Sequence, residues 1–382
     1  MFNSFFKLSN TYFWYFSVLG LLVPFLAVFL DGKGFNSVEI GEMLAIITAT
    51  RIFGPTLWAM FADKTGKQLP VIRLGALLAF TSFMLMFLVD SYWGITIALA
   101  LFSLFWTAIL PQLEVMTLAS IRRSPKIYAR IRLWGSVGFI ALAVMASELI
   151  ERFSSDTFIT IGALILFTLW LSTLWHKQPK HIKAAIKPTG SIYKRLVTPT
   201  FIFFFLAGLM LQISFGPYYA FFGLLIRQLD YPGYAIGLFI SIGVLAEIGI
   251  FIIAGRLFQL FSIKTLLIFS ILITALRWYL TGNFGDVAIM LVIAQIIHAA
   301  SFGLYHSASM QFIQQHFASN QQNRGQAIYI GGVYGIGGAI GAYMAGILWL
   351  DGAGATNAYV TSASVAIVGA IFALFVSTKN SR

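Results

Sequence analysis

Residues 110–139 read LPQLEVMTLASIRRSPKIYARIRLWGSVGF, and this stretch decides how the chain must be read. One apolar run closes here with an acid inside it, Glu114, and the next opens with two arginines, Arg130 and Arg132. Each run is long enough to cross a bilayer, which takes about 20 residues. An ionised side chain at bilayer depth costs about 2.5–3.5 kcal/mol on insertion scales, so Glu114 and Arg132 are expected to face a partner or a watery cavity. A structural ion pair fixing two helices would meet that demand, as would a functional site, and the site is the expectation.

The rest of the chain supports a membrane setting. Of its 382 residues 59% are hydrophobic and 10% charged, with a mean hydropathy of +0.86, whereas soluble domains carry roughly 25% charged residues. Runs of spanning length fall at about 8–30, 38–61, 69–89, 93–121, 128–150, 157–175, 200–226, 234–259, 265–281, 287–314, 327–350 and 357–377. They lack the alternation of a barrel, so helices must satisfy their backbones. The expected fold is an all-α membrane protein of twelve transmembrane helices. The first run, with Pro24 inside it, is long enough to span and is followed by no small-residue cleavage site, so it is expected to stay in the mature protein. The chain has no cysteine. Disulfides, thiolate metal sites and a cysteine nucleophile are thereby excluded, and the histidines show no metal-ligand spacing. No Ser/His/Asp order or pair of catalytic acids suggests an enzyme.

A net charge of +12 invites a nucleic-acid reading, which the placement of the charges answers. Most lysines and arginines fall in alternate loops, among them Lys64, Lys67, Arg122, Arg123, Lys177 and Lys194, while the opposite loops hold Lys33, Arg152 and Arg227. The basicity therefore reports orientation and anionic lipid, not nucleic acid, and both termini are expected to be cytoplasmic. One long polar segment, WHKQPKHIKAAIKPTGSIYKRL, separates the sixth and seventh runs. The expected organisation is a six-helix half over 1–175, a cytoplasmic linker over 176–199 and a second half over 200–382. A faint echo joins the halves: Ala59–Asp63 aligns with Gly255–Gln259, and Trp134–Gly138 with Ile330–Tyr334 at the same offset. Such internal repeats mark transporter folds.

Three motifs carry a family resemblance. The stretch AMFADKTGKQ, 59–68, resembles the loop signature of the major facilitator superfamily, Gly-x-Leu-x-Asp-Arg-x-Gly-Arg-Lys. Asp63 and Gly66 match, Lys64 and Lys67 are conservative changes, and Ala59 and Gln68 depart; the resemblance implies a gating latch at these four residues, where a solvated turn is the alternative. Pro111-x-x-Glu114, Arg122-Arg123, Arg130-x-Arg132 and Gly135-x-x-Gly138 look like the lactose-type oligosaccharide/proton symporters. There the positions of Glu114 and Arg132 form the acid–arginine pair that holds substrate. AEIGIF at Ala246, LRW at Leu276 and QIIH at Gln295, with YARIRLWGSVGF at Tyr128, resemble the phenylpropionate-permease group.

What the resemblance implies is a major facilitator fold and secondary active transport by alternating access. The expected activity is proton-coupled uptake of a small organic solute, an aromatic carboxylate or a sugar, in the bacterial inner membrane. The expected partners are the solute, protons and lipid, with a monomeric chain, no cofactor and no metal. A drug/proton exporter is the rival within the class, although Arg132–Ser147 lacks the proline such exporters carry on the fifth helix; a solute-binding receptor is a further alternative. Arg277 and His298 match an arginine and a histidine of the proton-handling half of the lactose-type symporters. Two departures bar a direct transfer of that site, since Gln295 replaces a lysine and Ser301 an acid.

Other side chains suggest where the work is done. Gln295, His298, Phe302, Tyr305, His306 and Ser309 share about 100° of a helical wheel, as a cavity wall or as inter-helix hydrogen bonding. Glu247 lies mid-run among apolar residues, where the neutral form of a carboxylate is favoured, and is the expected proton carrier with Arg277 and His298. The expected substrate contacts are Glu114, Arg132, Gln295, His298, Tyr218 and Tyr305. Tyr12, Trp14 and Tyr15 could join them in an aromatic pocket or belong to an interfacial belt. The glycines of GGVYGIGGAIGAYMAG, 331–346, are read as helix packing and not as a nucleotide loop.

Overall fold

The computed structural model describes residues 2–65, 67–121, 124–179 and 191–377. Gly66, Arg122, Arg123 and 180–190 of the linker lie outside them, and of Asp63 and Lys64 only the backbone is described. Twelve helices among the described residues are long and apolar enough to cross a membrane. They are α1 (Ser4–Gly32), α2 (Ser37–Ala62), α3 (Gln68–Phe87), α4 (Tyr92–Ser120), α5 (Lys126–Arg152), α6 (Thr157–Leu174), α7 (Pro199–Gln228), α8 (Tyr234–Leu260), α9 (Ile263–Asn283), α10 (Ala288–His316), α11 (Gln322–Gly352) and α12 (Ala355–Leu374). The chain divides into two compact units, Met1–Ala184 with Tyr231–Leu238, and Ala185–Asp230 with Phe239–Arg382.

Four spans are not regular. In α4 one helical segment ends at Trp106 and the next begins at Ile109; in α7 the division falls between Ser214 and Gly216. Pro111 and Pro217 each lie in the first turn of the second segment, where a missing N–H leaves no helical bond unmade. Helices α10 and α11 widen into π-turns at Ala299–Leu304 and Ile330–Gly337. Such interruptions leave backbone groups and side chains displaced from helical register, and in membrane proteins they are tolerated where protein or a cavity surrounds them.

Within each unit the first and fifth helices touch backbone to backbone. A Cβ on Gly20 would lie 2.3 Å from Phe139 O, and one on Gly138 2.2 Å from Phe13 O. The second unit repeats the device: Gly216 would meet Gly341 O at 2.1 Å and Gly341 would meet Ile213 O at 2.6 Å. The glycine spacing of α11 is thus used for close packing. A consequence is that Gly138→Ala and Gly341→Ala should collapse the yield of monodisperse protein, whereas Gly249→Ala, with nothing within 4 Å of its Cβ, should be tolerated. Fluorescence-detected size exclusion from detergent extracts checks this.

The ends of the first unit are tied by polar contacts. Lys33 pairs with Asp90 at 2.8 Å and Asp156 at 3.1 Å, joining the loops that follow α1, α3 and α5. At the end of α6, Arg73 of α3 donates to the carbonyls of Thr173, Leu174 and His176. His176 Nε2 meets Thr11 Oγ1 at 2.8 Å, and Thr11 also meets Ser172 at 3.0 Å. Burial, helped by the charges of Lys7 and Arg73, pushes the His176 imidazole down to about 4. The folded state therefore resists a proton that the unfolded state accepts near 6.5. Stability should fall as pH drops from about 6.5 towards 4, and His176→Gln should flatten that fall in thermal unfolding.

Candidate functional site

Glu114 lies in the helical segment that follows the break in α4 and is half-buried. Its Oε1 accepts from the Tyr128 hydroxyl at 3.1 Å. Tyr128 precedes Arg132 by four residues on α5, so the two share a helix face. The Arg132 guanidinium lies 3.8 Å from the centre of the Phe16 ring, and Phe16 is parallel to the buried Tyr12 at 6.4 Å. Gly135 makes that stacking possible, because a Cβ there would come 2.6 Å from the Phe16 ring and 3.0 Å from Arg132 Nη1. Nearby, Tyr15 stacks on Trp106 at 4.5 Å, with Arg51 5.8 Å from that indole.

Among the described residues no ion pair joins Glu114 to Arg132. They act on each other electrostatically across a gap instead. The direct pair expected from the lactose-type resemblance is replaced by Glu114 on Tyr128 and Arg132 on Phe16. Both charges therefore keep acceptor and donor capacity for a third group. Phe16, Tyr128, Arg51 and Trp106 were not picked out from sequence. The i, i+4 spacing of Tyr128 and Arg132 was a readable signal for one of them, whereas nothing local ties Phe16 to Arg132.

The second unit buries a different cluster, set by the break in α7. Tyr218 lies just past that break and donates its hydroxyl to Gln295 Oε1 at 3.0 Å. Arg277, fully buried, donates Nε to Ala294 O at 3.0 Å and Nη2 to Gln295 Oε1 at 3.4 Å. Its guanidinium lies 4.1 Å from the Tyr218 ring and 4.4 Å from the Trp278 ring. These hydrogen bonds go to neutral oxygens and not to a carboxylate. His298 packs 5.8 Å from Tyr218. Tyr218, Gln295 and His298, expected at the substrate, and Arg277, expected beside the proton carrier, thus form one physical cluster.

The π-turn in α10 divides the rest of the expected stripe. His298, Phe302 and His306 form a stacked ladder at 5.5 and 6.3 Å, ending where His306 Nδ1 meets the Tyr334 hydroxyl at 3.1 Å. Tyr305 and Ser309 fall to another side, where the Tyr329 hydroxyl bonds both at 3.1 Å. Tyr305 is therefore brought to Tyr329 and not to Arg277. Glu247 sits against the same π-turn: a Cβ on Gly303 would come 2.9 Å from its Cγ. Its charge acts on Tyr218 and Tyr334. Of the expected gating residues, Lys67 precedes α3 as its N-cap.

Apolar helices that enclose arginines, a carboxylate and hydrogen-bonded aromatics in each unit are the construction of a multi-pass membrane transporter, not of an enzyme. Residues 5–361 match the model of the MFS_1 like family, and the chain belongs to that family. It is 28% identical over 350 residues to the probable 3-phenylpropionic acid transporter of Escherichia coli (strain K12), covering 90% of each chain. It is 26% identical over 378 residues to the maltose permease of Geobacillus stearothermophilus, covering 96% of this chain and 93% of that one. A crystal structure of a mutant nucleoside transporter NupG superposes with a TM-score of 0.87 at 17% identity, over 98% of this chain and 100% of that one. That likeness concerns the fold alone.

Proposed function

We propose that the protein is a proton-coupled symporter for uptake of a small aromatic carboxylate across the bacterial inner membrane, as a monomer with both termini in the cytoplasm and no cofactor. One observation carries the substrate class: each unit holds an arginine over an aromatic ring, Arg132 over Phe16 and Arg277 over Tyr218. A guanidinium edge offers paired donors to a carboxylate, and the adjoining rings offer faces to an aryl group. The name of the Escherichia coli relative agrees with this class. Glu247 is the proposed proton carrier, with Arg277 and His298 biasing its protonation as the two sides gain access in turn.

Sugar uptake is the second reading. Glu114, held by Tyr128 and facing Arg132 across a gap, supplies the mixed acceptors and donors that vicinal hydroxyls require. Competition against labelled 3-phenylpropionate in proteoliposomes separates the two. Other aromatic acids should suppress uptake and a disaccharide should not; suppression by the disaccharide alone would assign the site to sugars.

A further inference from the structure

Three buried polar atoms around Tyr218 have no hydrogen-bond partner among the described residues: Arg277 Nη1, Gln295 Nε2 and His298 Nδ1. All three are nitrogens. The first two can only donate, and the third donates in the tautomer that carries its proton there. They belong to one cluster, because Gln295 Oε1 already binds Arg277 Nη2 and Tyr218, and His298 packs on the same Tyr218 ring. Gly243 of α8 packs beside two of these side chains: a Cβ there would stand 3.2 Å from Gln295 Oε1 and 3.3 Å from His298 Cδ2. A Cβ at that point would crowd both side chains.

The charge count makes the pattern meaningful. Arg277 has no accessible surface, and its hydrogen bonds go to a backbone carbonyl and an amide oxygen. Three aromatic rings, of Tyr218, Trp278 and Phe215, surround the guanidinium at 4.1, 4.4 and 5.8 Å. Ring faces and neutral oxygens soften a buried charge but do not cancel it, and leaving donors unmet adds the desolvation cost of each. The charge of Glu247 acts on the same Tyr218, yet the three nitrogens remain unmet, and an anionic acceptor would satisfy them beside the guanidinium.

We infer that Arg277, Gln295 and His298 form an anion site for a single monovalent acceptor, a carboxylate or a halide. Both sources present the same chemistry to the three nitrogens. If the acceptor is the carboxylate of the solute, the site deepens the proposed function and rests on it in that arm alone. If it is a halide, it is a resident counterion of the transporter and stands whatever the solute proves to be.

Purified full-length protein in sulfate buffer at constant ionic strength should be titrated with chloride and, separately, with 3-phenylpropionate. Tryptophan fluorescence reads occupancy through Trp278, and thermal unfolding reads stabilisation. The expected result is a saturable response to at least one anion, lost in Arg277→Gln. That variant should also unfold at a higher temperature than the wild type in sulfate alone, because a buried charge with an unmet donor is gone. Gln295→Leu, which keeps the arginine, should weaken binding by about tenfold to a hundredfold, the worth of one charge-assisted hydrogen bond. Gly243→Ala should weaken it as well by crowding Gln295 and His298 out of place. Response to 3-phenylpropionate but not chloride would identify the site with the solute; response to chloride alone would keep the anion site and remove the carboxylate reading. Equal responses in wild type, Arg277→Gln and Gln295→Leu, or no saturable response to either anion, would overturn the inference.

Discussion

Arg132→Lys is expected to abolish solute uptake while leaving expression and the size-exclusion profile unchanged. The guanidinium lies over Phe16, 3.8 Å from the ring centre, in space that Gly135 leaves free, and its fork can present paired donors to a carboxylate. An ammonium at the same place keeps the charge and loses both the fork and the stacking geometry. Two charge-assisted hydrogen bonds at about 1.5–3 kcal/mol each make the loss at least about a hundredfold in uptake at limiting solute. Folding should survive, because no ion pair among the described residues depends on Arg132. Uptake at the wild-type rate in this mutant would remove Arg132 from the substrate site.

The second large effect is expected at Glu247. This side chain packs against Gly303, within the π-turn of α10, and its charge acts on Tyr218 and Tyr334. Glutamine keeps the shape but cannot take up or release a proton. Glu247→Gln should therefore eliminate accumulation of solute against its gradient and preserve exchange of labelled for unlabelled solute, which needs no net proton movement. If the mutant still accumulates solute with an unchanged pH response, Glu247 does not carry the proton and His298 becomes the candidate. The hydrogen bonds of Arg277 go to Ala294 and Gln295, and a permanent Glu247–Arg277 bridge is the alternative that this variant tests.

The spans were legible in sequence because a bilayer requires long apolar runs to be helices, so run length and loop charge suffice to place them. The interruptions were not legible. Pro111 and Pro217 were visible, but whether a proline kinks a span or opens a new segment depends on neighbouring helices. The π-turns of α10 and α11 carry no local signal at all, and their insertion is what moved Tyr305 away from the Arg277 cluster that a regular wheel gave it. Charged residues at depth were conspicuous for the energetic reason that makes them rare. Their partners were harder to see: Tyr128 lies on the same helix face as Arg132, whereas Phe16 comes from a helix more than a hundred residues away in the chain. Gly20 and Gly216 stand at the same offset as the aligned stretches, and each meets the fifth helix of its own unit backbone to backbone.

The most direct test of a proton-driven uptake system is accumulation under an imposed gradient. Purified protein reconstituted into liposomes that are alkaline inside should concentrate labelled 3-phenylpropionate above its external level, with accumulation collapsing when a protonophore is added. Parallel vesicles carrying Glu247→Gln should equilibrate the solute without concentrating it. Uptake that reaches only the external concentration in wild-type vesicles, unchanged by the direction of the pH gradient, would contradict proton coupling.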